Sequence, residues 1–180
     1  MTHKHLHRWS VHFAVVLLLV VLAAGCTPPD PSLKLKPLAD AYAEVWSTGD
    51  LGRLDAIVDV GFKRHSAKTG ADGLDSLKRV ISNMRNLYPD FKVVGDDAVY
   101  SEGKMASRWT WTGTHSGAGN PALQGKKVRN LGSSFFRVVN GKLVEEWVHT
   151  DNLSVMTQLG FTVAPPVMPE ETAAKKPQKK

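Results

Sequence analysis

Residues 128–151, "VRNLGSSFFRVVNGKLVEEWVHTD", carry an Asn-Gly pair at 140–141 between two runs rich in β-branched and aromatic residues. A two-residue hairpin loop needs positive φ at both positions, which Asn-Gly supplies most readily. The pair therefore predicts antiparallel strands over about 128–139 and 142–149. Upstream, "FKVVGDDAVYSEGKMASRWTWTGTHSG" predicts a strand near 91–100, a Glu-Gly turn and a long strand over 104–115. "AGNPALQGKK" reads as the loop between these pieces, and "NLSVMTQLG" as a last short helix carrying Leu153, Met156 and Leu159.

What precedes the strands is helical. "PLADAYAEVWSTGD" opens on Pro37, suited to a first helical turn, and places Leu38, Tyr42, Val45 and Trp46 on one side. "LGRLDAIVD" gives a second, shorter helix and "VGFKRHSAKTG" reads as irregular. In "ADGLDSLKRVISNMRNLYPD" the residues Leu74, Leu77, Val80, Ile81, Met84 and Leu87 form a face at helical spacing, with Asp72 as a candidate cap and Pro89 as the stop. Helices followed by a run of strands predict an α+β domain, with helices packed on one face of a curved antiparallel sheet and room for a pocket between the layers.

The ends of the chain are of another kind. "MTHKHLHRWSVH" is basic without an acid and leads into the uncharged run Phe13 to Ala24. That run is short of the roughly 20 residues needed to span a bilayer, so residues 1–25 read as a secretory signal peptide. Leu22, Ala23, Ala24, Gly25 and Cys26 resemble a lipobox, whose cysteine is lipidated and becomes the new N-terminus. The expectation is an exported, membrane-anchored lipoprotein, on the periplasmic face of the outer membrane if the cell is Gram-negative. A single cysteine excludes an internal disulfide. Residues 26–36 read as a linker, 37–163 as one domain, and 164–180 as a disordered basic tail rich in Pro and Lys. The net charge of +6 comes largely from these ends, which argues against a nucleic-acid partner. Of seven histidines, His3, His5, His7 and His12 fall in the leader; the spacing of the other three supports no metal site, and no cofactor is expected.

Together "YAEVWSTGDLGRLDAIVD", "SEGKMASRWTWTGTHSG" and "FFRVVNGKLVEEWVHTDNLSVMTQLG" carry a pattern. Residues 38–161 resemble the SnoaL-like polyketide cyclases of the NTF2-like superfamily. The resemblance implies a cone-shaped α+β barrel with its pocket between the long helix and the sheet, and a homodimer formed through the sheet. It also implies that Asp151, in the terminal "W…D…QLG" motif, acts as general acid/base for an intramolecular aldol closure. His115 of "GTHSG" matches a position common in the family and is the second catalytic candidate beside Asp151. Where the cyclases carry polar residues on the preceding strand, this chain has Phe135 and Arg137.

Taken residue by residue, alternatives stay open. Counting by two along the last strand puts Leu143, Glu145, Trp147, His149 and Asp151 on one face. A carboxylate desolvated beside Trp147 would have a raised pKa suited to proton transfer; equally, Asp151 could cap the final helix. His115 shares its face with Trp109 and Trp111, either at a pocket rim or as a structural hydrogen-bonding residue. Arg108 is a candidate partner for a carboxylate, and His65 in "FKRHS" for the pocket mouth. Glu145 and Glu146 must point to opposite faces. Two functions fit: an acid/base enzyme of cyclase or isomerase type on a small hydrophobic carbonyl compound, or an envelope-anchored module that binds a small ligand or a protein.

Overall fold

The computed structural model describes residues 30–164. The expected signal peptide, Cys26 and all but the first residue of the expected basic tail lie outside the described residues. Among the described residues no helix is long and apolar enough to cross a membrane.

Helix α1, Ser32–Thr48, starts inside the expected linker, where the Asp30 carboxylate accepts the Ser32 N–H at 2.9 Å. Pro37 sits in its second turn, and Leu35, Leu38, Tyr42, Val45 and Trp46 make its buried stripe. Gly49, at φ 78°, closes the helix by donating to the Val45 carbonyl; this left-handed cap is the conformation glycine adopts without a Cβ penalty. A 3₁₀ turn, Leu51–Arg53, and the short α2, Leu54–Ile57, follow.

The next segment departs from expectation. Val58–His65 is a strand, β1, paired antiparallel with the two-residue β2, Ala71–Asp72, and parallel with the last strand of the sheet. Its glycine and three successive basic or imidazole side chains hide a buried alternation in which Phe62 and Arg64 point inward. Helix α3, Leu74–Leu87, packs on β1 and β2 through Leu77 and Ile81; Asp72 belongs to β2, and Gly73 stands at the helix start instead.

The predicted strands form as β3 (Lys92–Ser101), β4 (Lys104–Thr114), β5 (Lys127–Val139) and β6 (Lys142–Thr150), before α4, Asn152–Gln158. The sheet order is β2-β1-β6-β5-β4-β3. It is therefore mixed rather than wholly antiparallel, because β1 enters beside β6 in the same direction. The hairpin turns at Asn140 (φ 50°) and Gly141 (φ 76°).

One irregularity decides what each face carries. Val138 pairs with Leu143 but Arg137 pairs with Glu145, leaving Val144 as an extra residue. Such a bulge reverses the parity of every residue beyond it. Leu143 points inward, and after the bulge so do Glu146, Val148 and Thr150; Glu145, Trp147 and His149 turn outward. The register brings Arg137 onto Glu145 at 2.7 Å and Phe135 beside Trp147 at 5.7 Å, cross-strand pairs that favour it over the unbulged alternative.

Candidate functional site

Helices α1 and α3 and the inner face of the sheet enclose a cavity of about 520 Å³. Trp46 enters from α1, Met84 from α3, Tyr88 and Phe91 from the turn after α3, and Trp109 and Trp111 from β4. Phe91 stacks on Trp111 at 5.2 Å, and Trp111 also packs on Tyr88 at 5.1 Å. The benzo ring of Trp109 lies over Gly132 of β5; a Cβ there would stand 2.1 Å from the indole. The missing side chain is what admits the ring.

At the base of these aromatics the inward polar groups converge on one carboxylate. Glu146 is 2% exposed and forms an ion pair with Arg64. Its Oε2 also accepts the Tyr42 hydroxyl at 2.9 Å, and its Oε1 accepts the Ser134 hydroxyl at 2.8 Å. Trp109 Nε1 in turn donates to Ser134 Oγ at 2.9 Å. Arg64 is fixed from its far side by the Thr69 carbonyl, 2.9 Å from Nε, and its guanidinium lies 4.8 Å from the Trp46 ring centre. A buried ion survives only when paired and hydrogen-bonded, and three elements, α1, β1 and β5, supply the partners of Glu146.

Burial pushes the Tyr42 hydroxyl well above the usual tyrosine range, and the Glu146 charge adds to the effect. Burial alone would lower the Arg64 guanidinium, but the Glu146 carboxylate holds it above its ordinary value. The site is thus a protonated phenol and a fixed cation around one anion.

The predicted site residues divide sharply. Trp109 and Trp111 line the cavity as the alternation along β4 implied. Asp151 does not: it is exposed, and its Oδ1 accepts the Ser154 N–H at 2.8 Å, so it caps α4. The bulge at Val144 is the reason the count by two misplaced it. His149 and Trp147 go outward for the same cause. Arg137 is on the outer face with Glu145, and His65 joins them, its Nε2 2.8 Å from Glu145 Oε1 and its ring stacked on Trp147 at 5.1 Å. Arg108 is exposed opposite Asp97 at 3.7 Å. His115 is buried but outside the cavity lining; its Nδ1 accepts the Gly117 N–H at 2.9 Å and its ring meets Tyr88 edge-on, fastening the loop before β5. Among the described residues no group of His, Cys, Asp or Glu is placed to hold a metal ion.

Arg64, Ser134 and Glu146 carry the polar end of the site and were not predicted. The parity of Phe62 could have found Arg64, since the two share a face. Nothing short of the bulge could have assigned Glu146 rather than Glu145.

Comparison with known proteins supplies the frame for this geometry. The sequence profile of the SnoaL-like polyketide cyclases matches residues 36–159. This chain belongs to that family. Among solved structures, a protein of Bacillus cereus ATCC 10987 assigned to the polyketide cyclases is 26% identical, with a TM-score of 0.59 over 68% of this chain and 78% of that one. IdmH of Streptomyces antibioticus, likewise so assigned, is 25% identical, with a TM-score of 0.61 over 70% and 98%. A SnoaL-like protein of Jannaschia sp. CCS1 is 19% identical, with a TM-score of 0.65 over 78% and 99%, a likeness of fold. No curated protein matches the sequence. The unclosed mixed sheet wrapped on its helices is the NTF2-like cone of this SnoaL-like family.

Proposed function

We propose that this protein is a cyclase-type acid/base enzyme acting on a small hydrophobic carbonyl compound, with Glu146 and Tyr42 as its proton-transfer pair. The observation that carries this reading is the convergence of Tyr42, Arg64 and Ser134 on a carboxylate at the base of an aromatic-walled cavity. An ionised carboxylate offers about four lone-pair sites; three are taken, and one remains toward a substrate C–H. Glu146 removes an α-proton, and the enolate carbon attacks a second carbonyl of the same molecule. The alkoxide formed takes the Tyr42 proton, and the proton held by Glu146 then restores the phenol, so that both groups end as they began. While Glu146 is protonated, Arg64 faces the enolate charge, the kind of preorganised electrostatic support that lowers such a barrier.

The test needs no knowledge of the natural substrate. Wild-type protein lacking residues 1–26 is expected to accelerate exchange of the α-protons of 2-tetralone in D₂O, followed by NMR. Glu146→Gln is expected to lower that rate by about 100-fold or more, and Asp151→Ala to leave it nearly unchanged. No acceleration by the wild type would favour a ligand-binding module instead. Loss of exchange in Asp151→Ala with retention in Glu146→Gln would return the acid/base role to Asp151.

Two features of the wider protein belong to the same proposal. The lipobox at Cys26 supports export and membrane anchoring, checked by loss of palmitate labelling in Cys26→Ser. Exposed Leu131 and Phe135 on the outer face of the sheet support a homodimer, checked by the mass in solution.

A further inference from the structure

Four residues before Ser134 on β5, Asn130 also faces inward and is 2% exposed. Its Nδ2 donates to Thr150 Oγ1 at 2.6 Å. Its Oδ1 is the one buried side-chain nitrogen or oxygen among the described residues that has no hydrogen-bond partner. In this orientation of the amide the Thr150 hydroxyl receives from Asn130 and its own hydrogen points toward the Leu131 carbonyl, 3.5 Å away. Asn130, Thr150 and Asn152 line the cavity together, at the end where Val155 and Met156 of α4 close it.

A buried carbonyl oxygen left without a donor is disfavoured, and native proteins supply a partner to nearly all such groups. Here no protein group donates to it, and the residue lines the cavity. We infer that Asn130 is a specificity-determining residue whose Oδ1 accepts a hydroxyl hydrogen from the bound molecule, so that the ligand is an apolar ring compound with a phenolic or enolic O–H at the end away from its reacting carbonyl. Asn130 stands four strand positions from Ser134, and Thr150 four from Glu146. The two polar ends of the cavity therefore stand about 13 Å apart, a distance on the scale of a fused ring system. The inference rests on the cavity being the ligand site, as proposed above.

Binding of 6-hydroxy-2-tetralone and of its isostere 6-methyl-2-tetralone separates the two readings. Quenching of the cavity tryptophans reports both. The hydroxy compound is expected to bind wild type about tenfold more tightly, and Asn130→Leu to abolish that preference by weakening the hydroxy compound alone. Because the first comparison is made on the unaltered protein, it stands even if the variant folds poorly; Thr150→Val, which frees the amide to turn, is expected to shrink the preference as well. Equal binding of the two compounds to wild type overturns the Asn130 assignment while leaving the cavity as the ligand site, and indicates that a resident water satisfies the amide. Equal weakening of both by Asn130→Leu also overturns it. If neither compound binds, the ligand-site reading falls, and this inference with it.

Discussion

Glu145 and Glu146 are neighbours in sequence, identical in chemistry, and separated by the thickness of one strand. Glu146 lies inside, held by Arg64, Tyr42 and Ser134. Glu145 lies on the outer face, touched by His65 and by two nitrogens of Arg137. Each has roughly three donors. What differs is the medium: water screens the outer cluster, whereas the inner one has exchanged its hydration for protein partners alone. A hydrogen-bond count would rank the two acids equal, and burial makes one of them indispensable.

The largest effect that tests this contrast comes from removing Glu146. Glu146→Ala leaves the Arg64 guanidinium buried without a counter-charge and is expected to cost about 3–5 kcal/mol in urea unfolding. Arg64→Met combined with Glu146→Leu is expected to recover most of that loss, since the apolar pair carries no desolvation cost. Failure of the double variant to recover would mean that the network, not the charge balance, holds this end of the cavity. Next in size, Ser134→Ala removes one donor to a buried carboxylate and frees the Trp109 N–H, for an expected loss of about 1.5–3 kcal/mol by the same measurement.

A cap is worth less. Asp151→Ala is expected to cost about 1 kcal/mol of stability, with Asp151→Asn nearly neutral because asparagine caps as well. The smallest effect belongs to the outer acid. The His65 hydrogen bond, with Arg137 beside it, holds the Glu145 carboxyl below the usual glutamate range. A depressed folded-state pKa gives stability that is present above the unfolded value, about 4.3, and is lost as pH falls through the folded one. Glu145→Gln is therefore expected to be slightly less stable than wild type at pH 6, with the gap closing below about pH 4 and narrowing in high salt. A gap that persisted at low pH would show that the outer cluster acts through packing of His65 on Trp147.

Much of the fold was legible because its signals are local. Positive φ at Asn140 and Gly141, the stripe of α3 and the alternation of Trp109 and Trp111 each depend on a few adjacent residues. Strand β1 was hidden because its partner, β6, lies some 80 residues downstream, and "KRH" reads as solvated until that partner covers Arg64. The site was hidden for a different reason. Faces along β6 follow a strict period of two, and the single extra residue at Val144 inverts them; the sequence motif around Asp151 gives no sign of it. Arg137 opposite Glu145 and Phe135 opposite Trp147 were the clues to register, and they become readable only when the two strands are laid against each other.

Gly132 has a consequence beyond its own position. Because Trp109 occupies the place of its absent side chain, the cavity wall is set back by the depth of an indole at a residue that bears no polar group of the site. Any larger residue there would drive the ring inward, narrowing the chamber and drawing the Trp109 N–H away from Ser134, while the direct contacts of Glu146 with Arg64 and Tyr42 lie elsewhere. The width of the chamber and the support of its carboxylate thus meet in one side chain, and a change at Gly132 reaches both through Trp109.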